Sequence, residues 1–271
     1  MLQTRALSIR VANRTLVAGL DWSMAAGQCW ALLGRNGSGK TLLLQTLAGL
    51  RPAAAGNVLL TGRPIQHWPA IERARALALL TQVEPVDYWG SVADHVALGC
   101  LPQAEAGGLG ATPGARGTPG SSGASDDGLL TRPEVVARAL RCMHLGALAG
   151  RPWHGLSGGE RQRTRIAQCL AQQALVQLWD EPLNHLDPAY QQLALDLARR
   201  MAAAGRTVVL SVHDPAAARR YCTHALLLYD SKHFTLGPVA EVLDETSLRN
   251  LYPLDPPEFP DPPPATPNPA L

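Results

Sequence analysis

The stretch Gly34-Arg35-Asn36-Gly37-Ser38-Gly39-Lys40-Thr41 constrains this chain more than any other. It fits G-x-x-x-x-G-K-[ST], a spacing that requires a strand, a tight turn and then a helix. Gly34, Gly37 and Gly39 let the backbone turn sharply and aim successive N–H groups at phosphate oxygens. Lys40 adds a flexible point charge for the β- and γ-phosphates, and the Thr41 hydroxyl suits Mg²⁺. The flanks agree. Residues 29–33 read as a short buried strand, and 41–50 as a helix whose positive end faces the anion. The chain has 24 basic residues but only two lysines, Lys40 and Lys232, and one stands where the loop needs it.

A length of 271 residues suffices for one large α/β domain or a domain with an inserted lobe. The net charge of +2 argues against a nucleic-acid partner, which calls for a strongly basic face. No apolar run is long enough to cross a bilayer, and the N-terminus lacks a charged-then-apolar signal pattern. The chain is therefore expected in the cytosol unless a partner holds it at a membrane. Five scattered cysteines without a C-x-x-C pair suit reduced, buried thiols.

Along the chain, residues 6–28 alternate apolar and polar side chains, as antiparallel strands do. Val58-Leu59-Leu60 reads as a strand, with Ala55-Gly56-Asn57 before it as turn punctuation. A helix is expected over 71–78, a strand over 79–82 ending at Gln82, and a helix over 91–101. Residues 103–128 are Gly-, Pro- and Ser-rich linker. Arg132-Pro133 starts a helix with Val135, Val136, Ala139, Leu140 and Met143 as its buried stripe. Then come an Arg-rich helix within 156–173, strands over 175–179, 207–212, 225–229 and 234–236, and helices over 188–203 and 215–221. Strands alternating with helices imply a parallel sheet covered on both faces. Residues 253–271 form a Pro-rich tail.

The second half narrows the chemistry. Val176-Gln177-Leu178-Trp179-Asp180-Glu181-Pro182 is a strand ending in two carboxylates. Asp180 is placed to hold Mg²⁺ through its water shell, and Glu181 to polarise a water attacking the γ-phosphate. Leu156-Ser157-Gly158-Gly159-Glu160 carries the S-x-x-E spacing of a capping box, so a helix starts here. A cap needs no double glycine, whereas two glycines expose backbone N–H groups to an anion. A strand buried on both faces must also give Gln177 a hydrogen-bond partner, or lose about 1–3 kcal/mol.

With that segment in place the chain resembles the ATP-binding-cassette (ABC) family, whose signature is LSGGE or close to it. The resemblance spans roughly residues 6–252. It implies an α/β fold: a P-loop NTPase-type parallel sheet core, an antiparallel N-terminal β-subdomain and an inserted α-helical subdomain. Residues 1–252 would then be one nucleotide-binding domain, its helical subdomain at about 86–172 with a flexible insert at about 103–130. The implied ATP contacts are Gly34 to Thr41, Thr46 and Gln82, with Thr41, Gln82 and Asp180 toward Mg²⁺. Leu156, Ser157, Gly158, Gly159 and Glu160 would touch ATP held by a second copy of the chain, and Asp187 would reach across that dimer. Glu181, His213 and Lys40 would carry catalysis, His213 by fixing the γ-phosphate geometry. Val11 falls near the position where the family stacks adenine on an aromatic ring. Gln177, Trp179 and Leu183 also depart from the family pattern.

Local strings such as Arg63-Pro64-Ile65-Gln66-His67-Trp68 and Asn184-His185-Leu186-Asp187 look like one subgroup, the ATPase subunits of bacterial importers for iron–siderophore, haem and cobalamin. Overall likeness leans toward cobalamin or a related metal chelate. The implied partners are integral-membrane permease subunits, which would hold the chain peripherally on the cytoplasmic face of the plasma membrane, and a periplasmic binding protein acting with the permease. Residues 82–89, with Tyr88 and Trp89, would help form the permease-docking surface. An exporter subunit, or a soluble or regulatory cassette ATPase, stays open as an alternative.

Overall fold

The computed structural model describes residues 1–82, 88–104, 131–229 and 233–253. The alternating N-terminal segment forms strands β1 (Leu2–Val11) and β2 (Arg14–Met24), joined by a tight antiparallel hairpin. β3 (Cys29–Gly34) follows, then the glycine loop, then α1 (Lys40–Leu47). α1 stops short of residue 50 because Gly49 adopts φ +68°, a left-handed stop that glycine takes without strain. β4 (Ala55–Leu60) and β5 (Arg63–Pro64) complete a four-stranded antiparallel sheet in the order β2-β1-β4-β5. Ala55-Gly56-Asn57 is thus strand and not turn. Gly56, at φ +76°, passes so near β1 that a Cβ would lie 2.3 Å from the Ala6 carbonyl oxygen.

α2 (Ala70–Ala76) is followed directly by β6 (Leu77–Leu80). The expected boundary shifts by two residues, because β6 pairs in parallel register with β7 (Val176–Trp179), Leu77 beside Val176 and Leu80 beside Trp179. Gln82 therefore lies beyond the sheet. The helical lobe comprises α3 (Val92–Ala97), α4 (Leu101–Ala104), α5 (Arg132–Cys142) and α6 (Gly158–Ala171). The expected helix over 91–101 is broken by a 3₁₀ turn at Leu98–Cys100. Residues 105–130, most of the low-complexity linker, lie outside the described residues, as do 83–87 of the expected docking surface and 254–271 of the tail.

α7 (Pro188–Ala203), β8 (Thr207–Ser211), α8 (Pro215–Tyr221), β9 (His224–Leu228), β10 (Phe234–Pro238), α9 (Val239–Val242) and α10 (Glu245–Leu251) follow. The second sheet runs β10-β9-β3-β8-β7-β6, parallel except for the antiparallel edge strand β10. Alternation decides its packing. Cys29, Ala31 and Leu33 of β3 face one core with α7, α8 and the helical lobe, while Trp30 and Leu32 face another with α1 and the antiparallel sheet. Val208 and Leu210 of β8 join the first core and Val209 the second. Both faces are buried, so β3 and β8 read as mainly apolar runs. This mixed α/β architecture is the one the sequence implies.

Candidate active site

Parallel strands deliver their C-terminal ends to one edge of a sheet, where ligands of open α/β folds bind. β3 brings the glycine loop there, β6 brings Gln82, β7 brings Asp180 and Glu181, and β8 leads to His213. The loop needs its glycines. A Cβ on Gly34 would lie 2.5 Å from Ser38 Oγ and 2.8 Å from the Leu228 carbonyl oxygen. Gly37 and Gly39 adopt φ +79° and +100°. Lys40 donates from Nζ to the Gly34 carbonyl at 2.8 Å and the Arg35 carbonyl at 3.3 Å, and so threads the turn that Arg35, Asn36 and Ser38 build. Burial lowers its pKa, opposed by the carboxylates of Glu181 and Asp180. Ser38 Oγ is buried without a partner, a polar atom suited to a phosphate oxygen.

Asp180 is buried, which raises its pKa. Hydrogen bonds to the Thr41 and Ser211 hydroxyls counter that rise, the Ser211 bond measuring 2.9 Å. Ser211 Oγ also accepts the Glu181 N–H at 2.6 Å, so one hydroxyl ties the two acids together. Glu181 sits at φ +48°, a left-handed strain that a carboxylate-bearing residue keeps only where its surroundings hold it. They do. Its Oε2 accepts from Gln82 Nε2 at 2.9 Å and Asn184 Nδ2 at 2.6 Å, and its Oε1 lies 3.1 Å from His213 Nε2. A cavity of about 250 Å³ opens beside it, lined by Gln82, Gln162, Arg165, Glu181, Asn184 and His185.

Thr46 does not join this group. It lies further along α1, its buried hydroxyl donating to the Leu42 carbonyl at 2.7 Å and its side lining a different cavity with Gly49 and Ile65. An eight-residue helix turns its later residues away from its N-terminal edge. Val11 ends β1 at the hairpin and is 37% exposed.

At the start of α6, Ser157 Oγ accepts from the Glu160 N–H while Glu160 Oε2 accepts from the Ser157 N–H at 2.7 Å, completing the capping box. Leu156 is buried beneath the turn. A Cβ on Gly159 would lie 2.8 Å from the His185 carbonyl oxygen, and one on Gly158 would touch the His185 ring. Asp187 caps α7 by accepting from the Tyr190 N–H at 3.0 Å. Among the described residues, Ser157 to Glu160 make no hydrogen bond or ion pair with the glycine loop, Asp180, Glu181 or His213.

Sequence reasoning passed over the residues that brace these groups. Gln162 donates from Nε2 to the Pro182 carbonyl at 3.0 Å. Arg165 donates to Gln162 Oε1 at 3.0 Å and to the Thr81 carbonyl and hydroxyl. α6 thus grips the exits of β6 and β7. The sequence marks these residues as buried polar groups but not their partners: Gln162, Arg163 and Arg165 are buried on α6, and Ser211 interrupts an apolar strand.

A family model described as ABC transporter matches residues 17–184. The chain belongs to the ABC transporter family. This ABC chain is 35% identical over 262 residues to a hemin import ATP-binding protein of Pseudomonas fluorescens, covering 94% of this chain and 93% of that protein. It is 33% identical over 266 residues to the achromobactin transport ATP-binding protein of Dickeya dadantii, covering 96% and 91%. Among solved structures, a metal-chelate type ABC transporter in an inward-facing conformation superposes with a TM-score of 0.71 at 25% identity, covering 93% of this chain and 88% of that one. Family membership with this edge of acids, lysine and glycine loop makes the chain an ABC ATPase, binding and hydrolysing ATP.

Proposed function

We propose that this chain energises import of an iron chelate, with two copies closing on two MgATP to drive a partner permease. The reading is supported by one observation: among the described residues, Ser157 to Glu160, a capped helix start with two glycines, share no hydrogen bond with the loop around Lys40. A second copy related by a two-fold axis would bring the two segments together. The Gly158 and Gly159 N–H groups of one copy would meet the γ-phosphate held by Lys40 of the other, and Asp187 would lie at the seam.

For hydrolysis, Glu181 has the position of the base that orients the attacking water, with Gln82, Asn184 and His213 fixing its carboxylate. The group at Asp180 suits Mg²⁺, since its donors are hard oxygens, the Asp180 carboxylate and Thr41 hydroxyl, and Gln82, which donates to Glu181 Oε2, would add its amide oxygen. When bound, the ion would neutralise charge developing on the phosphates. His213 would hold a proton at Nε2 between Glu181 and the γ-phosphate.

Kinship supports a reading of cargo and location. The names of the relatives favour haem or a siderophore–iron chelate over the cobalamin toward which the sequence leaned. No helix among the described residues is long and apolar enough to cross a membrane, so attachment would run through permease subunits at the cytoplasmic face, with a periplasmic binding protein supplying cargo. Tyr88 and the 83%-exposed Trp89 stand next to residues 83–87, where docking is expected.

Glu181→Gln tests the reading. It should lower ATP turnover about 10²-fold or more, while light scattering shows an ATP-dependent dimer that wild type forms only transiently. A wild-type chain that hydrolyses no ATP even with its permease, or a variant that stays monomeric with ATP, would overturn it.

A further inference from the structure

A cavity of about 340 Å³ lies between α5, the end of α6 and the end of α7. That volume is in the range of about 300–1,000 Å³ typical of small-molecule pockets. It is remote from the nucleotide edge. α7 begins at Asp187 beside that edge and reaches the cavity only with its last turns, and Arg206 on the rim immediately precedes β8, whose far end leads to His213.

The floor is apolar, made by Val135, Ala139, Leu170, Leu197 and Met201. The rim carries three guanidinium groups, those of Arg138, Arg200 and Arg206, and no carboxylate among the described residues. The acids on the same helices are engaged elsewhere: Asp196 pairs with Arg199 at 3.1 Å, and Glu134 caps α5 at Thr131. Arg206 instead donates from Nη1 toward the Met201 sulfur at 3.7 Å, a weak acceptor for so strong a donor. Burial, then the like charge of Arg138, pushes the Arg206 pKa down. Converging like charges beside an apolar wall favour an anion, and the planar fork of arginine matches a carboxylate.

We propose that this cavity binds a small amphipathic carboxylate, with its apolar body on the Leu170–Leu197 floor and its carboxylate among Arg138, Arg200 and Arg206. Because α5 belongs to the helical lobe and α7 covers the sheet, the ligand would tie the two layers together.

Cys142 supplies a reporter. It lines the cavity and is half-buried, whereas Cys29, Cys100, Cys169 and Cys222 are buried. Decanoate added to the full chain should slow modification of Cys142 by a thiol reagent severalfold and give a saturable heat in calorimetry. Arg138→Gln with Arg206→Gln should weaken both effects about tenfold or more, as loss of charge-assisted bonds requires. The single exposed change Arg138→Gln serves if the double variant does not fold. Decanol should protect poorly, and so should inorganic phosphate. The proposal fails if decanoate gives neither protection nor heat. It fails equally if decanol or phosphate matches decanoate, or if the arginine variants bind it as wild type does.

Discussion

Trp179 Nε1 donates to Gln177 Oε1 at 3.2 Å, two residues along the same buried strand, while Gln177 Nε2 donates to the Ala174 carbonyl at 3.1 Å. The two departures from an aliphatic β7 therefore satisfy one another. Gln177→Leu should cost about 1–3 kcal/mol, since it orphans the indole N–H inside the core. In a Trp179→Phe background the same change should cost less. Urea denaturation of the four-member cycle measures the coupling, and equal costs in both backgrounds would show that the pair does not act together.

His95 gives the helical lobe an acid-sensitive point. Its ring is buried, stacked on Trp153 at 4.2 Å and met edge-on by Tyr88 at 4.9 Å. Burial, with the Arg165 charge, lowers its pKa from 6.5 to about 4. Above pH 6.5 the ring is neutral folded or unfolded and carries no penalty. Between 6.5 and about 4 the unfolded chain binds the extra proton, so stability falls with falling pH by at most about 1.4 kcal/mol per unit. Urea midpoints at pH 7.5 and 5 should differ less in His95→Gln than in wild type.

Gly99 is a packing requirement. A Cβ there would lie 2.2 Å from the Gln168 carbonyl oxygen and 3.2 Å from the Ala171 methyl, so Gly99→Ala must push the α3 end away from α6. A loss of about 1–3 kcal/mol is expected. Because α6 carries Gln162 and Arg165 to the exits of β7 and β6, ATPase activity should fall with stability, whereas Gly150→Ala, at a glycine outside the left-handed region whose Cβ meets no atom within 4 Å, should leave activity unchanged.

His213 and Glu181 should separate kinetically from the phosphate loop. His213→Ala removes the group 3.1 Å from Glu181 Oε1 and should lower kcat about 10²-fold or more with little change in KM. Lys40→Ala should instead abolish nucleotide binding, read by titration with a fluorescent ATP analogue. A rise in KM alone for His213→Ala would make that residue a binding contact only.

The amino-acid sequence by itself determined the α/β class, the strand–turn–helix around Lys40, the capping box at Ser157 and the acidic end of β7. Each is local: glycines that must bend, a serine three residues from a glutamate, an apolar run that must be buried. It missed where β6 begins, because that boundary is set by register with Val176–Trp179, nearly a hundred residues away. It could not find Ser211 bridging Asp180 to Glu181, or Arg165 reaching Thr81, since these pairs meet only when the sheet is assembled. Nor could it show that Thr46 turns away from the loop it closely follows. Only tertiary structure decided those points, because parallel strands bring together chain ends that no sequence spacing connects.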